Sequence, residues 1–370
     1  MKMHRISIGY GTVIALCLAA SMPAAGADRS AAHGEYVFSA NQADHNLSAY
    51  RVDEETGTLV PLAGSPYPTG DYPVSVTVAP GGRFIYVTNQ GSGSLSGFTV
   101  AGDGRSLAPL PGSPYAVGSY PDAVAITPDG RFLLVSYEDD GVVETFGIDP
   151  RSGALRPMGQ HIGTGRHPIS IAVTPDGRFA YVSNYDDDSV GAYRVDGFSG
   201  ALIPVGVAAK ADSHPIYIAV SGDSRFLYTA NYGSTTVSAY RIDQASGTLS
   251  PVPGSPFVAG AKPYSITIDP AREFLYVANW AGHDLGVFAL NRESGALAEV
   301  AGSPFKAGSY PYSVVVDPRD HYVYVANNGA ATISAYHIED RSGTLKPLEN
   351  SPFTSGRGPY SLAIVMESGD

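Results

Sequence analysis

His167, His214 and Lys262 stand at intervals of 47 and 48 residues, and each directly precedes a proline. Imidazole titrates near neutrality and can move a proton, while an ammonium group can hold a carboxylate or the oxyanion of an opening lactone. Arg166 adds a cation beside the first of them, Arg357 lies two places before Pro359, and Asp122 follows Pro121 as a further candidate base. Opposite in sign, Glu138-Asp139-Asp140 and Asp186-Asp187-Asp188 are clusters of hard oxygen donors of the kind that bind Ca²⁺, although their spacing matches no EF-hand. Tyr72, Tyr120, Tyr310 and Trp280, with Tyr137, Tyr185 and Tyr232, would form a stacking surface for a sugar or aromatic ligand, or plug a channel. Structural alternatives stand beside each assignment: histidines bonded to neighbouring backbone, and acidic loop tips that are simply solvated.

What would bring these residues together is a repeat. Pro73, Pro121, Pro168, Pro215, Pro263, Pro311 and Pro359 recur every 47 or 48 residues, each opening a short apolar run. Asn41, Asn89, Asn184, Asn231, Asn279 and Asn327 keep the same beat at the end of a second apolar run, with Tyr137 in place of Asn in one repeat. A period of this length built from short strands predicts a β-propeller of seven four-stranded blades.

In the repeat from Lys262 to Ser309, Tyr264–Ile268 reads as a first strand, 269–273 as a turn, Phe274–Asn279 as a second strand and Leu285–Leu290 as a third. A turn at Ser294-Gly295-Ala296-Leu297 leads to a short fourth. Asp129-Gly130 and Asp176-Gly177 are hairpin dipeptides, and proline fits at the head of a first strand, where no ladder N–H is required. Six repeats run from Tyr72 to Arg357. The seventh has to be closed by 360–365 as innermost strand and by 36–41, 47–52 and a short strand near Leu59 from the other end of the chain. In such a wheel the residues before the prolines and those after the second strands converge on one face, around the axis.

Residues 1–27 carry the pattern of an export signal: Lys2 and Arg5, an apolar centre from Ile14 to Ala20, and Ala25-Gly26-Ala27 as a cleavage site. The expected mature protein is a single domain, 28–370, in the periplasm or the medium. The chain has 23 Lys and Arg against 35 Asp and Glu, a net charge of −12 that becomes −14 without the signal. That field disfavours nucleic acid and anionic membrane surfaces. The single cysteine, Cys17, lies within the signal, so no disulfide or thiol chemistry is expected of the mature chain. No later apolar run approaches the roughly 20 residues that span a bilayer. No apolar surface patch is legible, and a monomer is expected.

The turn after the third strand reads TGTL, SGAL, SGAL, SGTL, SGAL and SGTL from Thr56, Ser152, Ser199, Ser246, Ser294 and Ser342. With PDGRF before the second strand and YVxN at its end, the whole mature chain resembles the seven-bladed lactonase family. That family includes propeller-type 6-phosphogluconolactonases and fungal muconate-lactonizing enzymes, and surface propellers of the YVTN type look similar. The resemblance implies the fold and an activity on lactones. In members that hydrolyse the phosphorylated lactone, an Arg-His pair follows one inner-strand proline; here the corresponding pairs are Val74-Ser75, Asp122-Ala123, Ile169-Ser170, Ile216-Tyr217, Tyr264-Ser265, Tyr312-Ser313 and Tyr360-Ser361. Those catalytic residues therefore do not carry over, and a phosphorylated substrate is not expected.

No GxSxG, HExxH, P-loop or paired CxxC motif is present. The reading is an exported lactonase-like propeller that hydrolyses an unphosphorylated sugar lactone or related organic acid lactone. Catalysis is assigned to His167, His214, Lys262 and Asp122; substrate contacts to Arg166, Arg357, Tyr72, Tyr120, Tyr310 and Trp280; no cofactor is expected, with Ca²⁺ at the acidic loops Glu138-Asp139-Asp140 and Asp186-Asp187-Asp188 as the alternative to solvated loop tips. The alternative is a non-catalytic surface propeller that binds a protein or glycan through the same face.

Overall fold

The computed structural model describes residues 34–100, 106–269, 274–339 and 342–366. The export-signal assignment and most of the turn at 269–273 lie outside them. The described residues form one compact unit of seven antiparallel sheets. Their innermost strands are Pro73–Val78, Pro121–Ile126, Pro168–Val173, Pro215–Val220, Pro263–Ile268, Pro311–Val316 and Pro359–Met366, numbered here as blades 1 to 7. Each innermost strand packs on the next, and blade 7 packs on blade 1, which closes the ring.

Blade 7 is assembled from both chain ends as expected: Pro359–Met366 pairs with Glu35–Asn41, followed outward by Asn46–Val52 and Leu59–Pro61. The fourth strand, however, is split in most blades. In blade 7 it consists of Leu59–Pro61 and Tyr67–Pro68, both pairing with Asn46–Val52. Between the two pieces Ser65 Oγ accepts the Ala49 N–H at 2.9 Å, and Ser113, Ser255, Ser303 and Ser351 do the same elsewhere. Blade 2 lacks this Ser-Pro step and runs a single strand, Leu155–Gly163, with a bulge opposite Glu144 and Phe146.

The second strands, such as Phe84–Asn89 and Phe274–Asn279, are buried along their whole length, because each is covered by a neighbouring sheet on both faces. Two repeated bonds explain the motifs. The tyrosine of YVxN reaches into the next blade and donates to the glycine of its SG turn: Tyr86 to Gly153 O at 2.7 Å, Tyr181 to Gly247 O at 2.9 Å and Tyr228 to Gly295 O at 2.8 Å. Tyr324 to Gly57 O, at 2.9 Å, repeats the bond across the seam between blades 6 and 7. The turn glycine is required twice over: Gly153 has φ +70°, and a Cβ there would come within 2.5 Å of the Phe84 ring. The asparagine of YVxN spans its own blade instead, Asn89 donating to Ser94 and Ser96 and Asn231 to Thr236 and Ser238. It is structural, bonded chiefly to side chains of the third strand rather than to turn backbone.

Candidate active site

All seven residues before the repeat prolines have left-handed backbone. φ lies between 50° and 54° at Tyr72, Tyr120, His167, His214, Lys262 and Tyr310, and is 66° at Gly358. For a residue with a Cβ this conformation costs about 1–3 kcal/mol. The same hydrogen bond helps to hold it in every blade, where the first residue after the second strand donates its N–H to the carbonyl before the proline. These bonds run from Gln90 to Tyr72, Glu138 to Tyr120, Tyr185 to His167, Tyr232 to His214, Trp280 to Lys262, Asn328 to Tyr310 and Gln42 to Gly358, at 2.8–3.2 Å. The rim of the axis is thus seven residue pairs on one repeated backbone. That backbone demands the bond and is indifferent to whether the side chain is tyrosine, histidine or lysine.

On blade 3 the His167 Nδ1 lies 2.8 Å from Asp186 Oδ2, so this carboxylate orients the ring and leaves Nε2 unengaged by it. Arg166 is committed to the same loop: Nε is 2.6 Å from Asp187 Oδ1, its backbone N–H donates to Asp187 Oδ2, and its guanidinium donates to Asp186 O. Asp188 Oδ1 accepts the His214 N–H at 2.7 Å. Arg357 repeats the Arg166 staple on blade 7, with Nε 2.6 Å from Asp44 Oδ1 and its N–H on Asp44 Oδ2. Arg166 and Arg357 therefore fasten loops within their own blades. This accounts for their side chains without the substrate contact read from the sequence.

His214 sits beside Ser213, Oγ to Nδ1 2.8 Å, with its ring 4.4 Å from that of Tyr185. Lys262 places Nζ 4.6 Å from the Tyr232 ring centre and 5.5 Å from that of Trp280. Trp280 stacks on Tyr310 at 4.8 Å. Tyr72 and Tyr120 are half exposed on blades 1 and 2, and the His45 ring packs edge-on against Tyr72 at 5.2 Å. Tyr137 belongs elsewhere: it takes the repeat position of the buried asparagine, is itself fully buried, and donates to Glu144 at 2.6 Å, so it lines no ligand surface.

Below the rim, Asp122 on the innermost strand of blade 2 is only 7 % exposed. Burial, reinforced by the nearby Glu138 carboxylate, pushes its pKa well above the usual carboxylate range, toward the protonated form. Burial also raises Glu138, while the charge of His167 opposes that and those of Asp139 and Asp186 add to it; Glu138 accepts from Gln90 at 3.0 Å. Asp122, Glu138, His167 and Asp186 are thus linked electrostatically from the channel to the rim.

Four tyrosines that the sequence reading did not select fill the channel beside Asp122. Tyr217 lies 5.7 Å from Tyr264, Tyr264 4.3 Å from Tyr312, and Tyr312 4.8 Å from Tyr360, ring centre to ring centre. The Tyr264 hydroxyl donates to that of Tyr360 at 2.5 Å. Burial raises Tyr217, Tyr264 and Tyr360, and Asp122 contributes to the rise at Tyr217 and Tyr360. Their signal was in the sequence: Tyr264, Tyr312 and Tyr360 each follow a repeat proline.

The acidic side chains of the two loops are partnered within the fold or open to solvent. Asp186, Asp187 and Asp188 are engaged by His167, Arg166 and the His214 N–H, while Asp139 and Asp140 are exposed. Among the described residues no group of three or more His, Cys, Asp or Glu side chains is placed to hold a metal ion.

Similar structures span nearly the whole chain. A candidate 6-phosphogluconolactonase from Bacteroides uniformis is 21% identical with a TM-score of 0.78, covering 90% of this chain and 100% of its own. A second, from Bacteroides fragilis, is 19% identical with a TM-score of 0.79, covering 92% and 100%. The periplasmic gluconolactonase PpgL of Pseudomonas aeruginosa is 21% identical with a TM-score of 0.75, covering 91% and 99%. At these identities the likeness establishes the fold. No curated protein matches the chain. The profile described as "Lactonase, 7-bladed beta-propeller" matches residues 63–170, 163–262 and 254–360, and the chain belongs to that lactonase family.

Proposed function

We propose that this propeller hydrolyses an unphosphorylated sugar lactone or related organic acid lactone at the face that carries His167. The observation that carries the reading is the 2.8 Å contact between His167 and Asp186, set above a channel with a buried carboxyl group, Asp122. His167 Nε2 takes a proton from water as the hydroxide adds to the lactone carbonyl carbon, and Asp186 steadies the imidazolium that forms. As the ring C–O bond breaks, the departing alkoxide takes the proton that Asp122 holds, giving the hydroxy acid. His167 then returns its proton to solvent and Asp122 is reprotonated. His214 and Lys262 flank the dyad on blades 4 and 5, and Lys262 draws the anionic end of the ligand.

Family membership supports lactone chemistry, and the lack of an Arg-His pair after any repeat proline supports an unphosphorylated substrate. The basic, apolar and small-residue pattern of residues 1–27 and the periplasmic setting named for the Pseudomonas aeruginosa neighbour support export to the periplasm or medium. The packed tyrosines favour a second reading, a propeller that binds a glycan or protein without turnover, because they fill the channel. Proton release from a panel of sugar lactones, each with its phosphorylated counterpart, separates the two. The first reading requires turnover of at least one unphosphorylated member and no preference for phosphate. A panel hydrolysed no faster than in buffer supports the second.

A further inference from the structure

Lys262 differs from the other cations on this face. Arg166, Arg357 and His167 each lie against a carboxylate of their own blade, whereas Lys262, among the described residues, has no carboxylate within ion-pair distance. It is exposed on a chain of net charge −12, and its ammonium is framed by aromatic rings. Tyr232 stands at 65° to Trp280, and Trp280 stacks on Tyr310 at 28°. The shelf is held in place: Tyr232 packs edge-on against Tyr264 of the channel, and the Tyr310 N–H donates to His283 Nδ1 at 3.0 Å with the rings 4.8 Å apart.

A fixed aromatic shelf around an unpaired ammonium suits a ligand with two features. One is a flat face of C–H bonds, whose positive edge complements the negative face of the rings; the other is an anion within reach of Nζ. A hydroxy acid freed from a lactone supplies the anion without the ring. A hexuronate supplies both.

We infer that the shelf of Tyr232, Trp280 and Tyr310 around Lys262 binds a hexuronate ring, free or at the end of a longer saccharide, with its carboxylate on Lys262. This deepens the lactonase reading, and rests on it for choosing a sugar over other carboxylates. It makes the substrate an acidic saccharide whose uronate lies over blades 4 to 6 while the lactone end meets blades 2 and 3.

Trp280 is the only tryptophan of the chain, so its emission reports on the shelf directly. The experiment titrates D-glucuronate, D-glucose and benzoate into the full-length protein while following that fluorescence. Glucuronate is expected to give a saturable change that weakens as salt is raised, with glucose and Lys262→Met each weaker by about fivefold or more. The absence of a saturable change with glucuronate overturns the proposal, as does equal binding of glucose, insensitivity to both salt and Lys262→Met, or tighter binding of benzoate. Salt dependence of the unaltered protein decides the point even where the variant fails to fold. If glucuronate does not bind while lactones are hydrolysed, only this proposal falls; if it binds without any lactone turning over, only the catalytic reading falls.

Discussion

Asp186 Oδ2 lies 2.8 Å from His167 Nδ1, on the loop that follows the second strand of the same blade. Asp186 acts through the imidazole and is a positioning residue. Asp186→Asn should lower kcat on the best lactone by about 10²-fold, with a smaller change in KM. Asp186→Glu, which keeps a carboxylate beside the ring, should recover part of that loss. Unchanged kcat in Asp186→Asn, or equal loss in Asp186→Glu, would make the contact purely structural.

Asp122→Asn removes the proton given to the leaving oxygen and should cost about 10²-fold or more in kcat. Replacing a buried, desolvated carboxyl by an amide of similar shape should leave the melting temperature near neutral pH equal or higher. Lost activity together with a lower melting temperature would assign Asp122 to the fold instead.

At the opposite face, Glu35 is 1 % exposed and its pKa is raised to about 7, chiefly by burial, then by the Asp317 carboxylate and Glu54, with Arg319 opposing. A folded-state value above the ordinary one means that the stability linked to this group is fully present below about pH 4.5 and is lost as pH rises through about 7. Glu35→Gln should therefore stabilise the protein above neutrality by up to about 3 kcal/mol, with the gain shrinking toward acid pH. Melting curves across this range provide the check, and a gain that does not depend on pH would contradict the assignment.

Deleting the chain from Gly358 onward removes the innermost strand of blade 7, leaving Glu35–Asn41 as an unpaired edge. The truncated protein should aggregate. A soluble product with the original melting temperature would mean that the ring does not depend on this strand. Gly153→Ala tests the inter-blade turn, and with φ +70° and the Phe84 ring in the way it should destabilise by about 2 kcal/mol or more.

The fold was legible because its causes are local and repeated. A proline that heads a strand, a glycine that alone fits beneath a neighbouring phenylalanine, and an asparagine that bonds its third strand all mark the same beat. The site was legible only as positions. That His167 and His214 stand before prolines on adjacent blades places them on one rim, but the staples Arg166–Asp187 and Arg357–Asp44 are side-chain choices that no periodicity announces. Tyr137 looks like a ligand-facing aromatic in the sequence, yet it occupies the core position that asparagine holds in the other blades. Tyr217, Tyr264, Tyr312 and Tyr360 were passed over because inner-strand residues read as packing, whereas the bulge after each proline brings these side chains together in the channel.

The central claim is that His167 activates water against a lactone. Its most direct test is the initial rate of proton release from the best unphosphorylated lactone, measured at equal concentration for the unaltered protein and for His167→Asn, with melting temperatures recorded alongside. The account predicts a loss of about 10²-fold or more with the fold intact. Equal rates from the two proteins would contradict it.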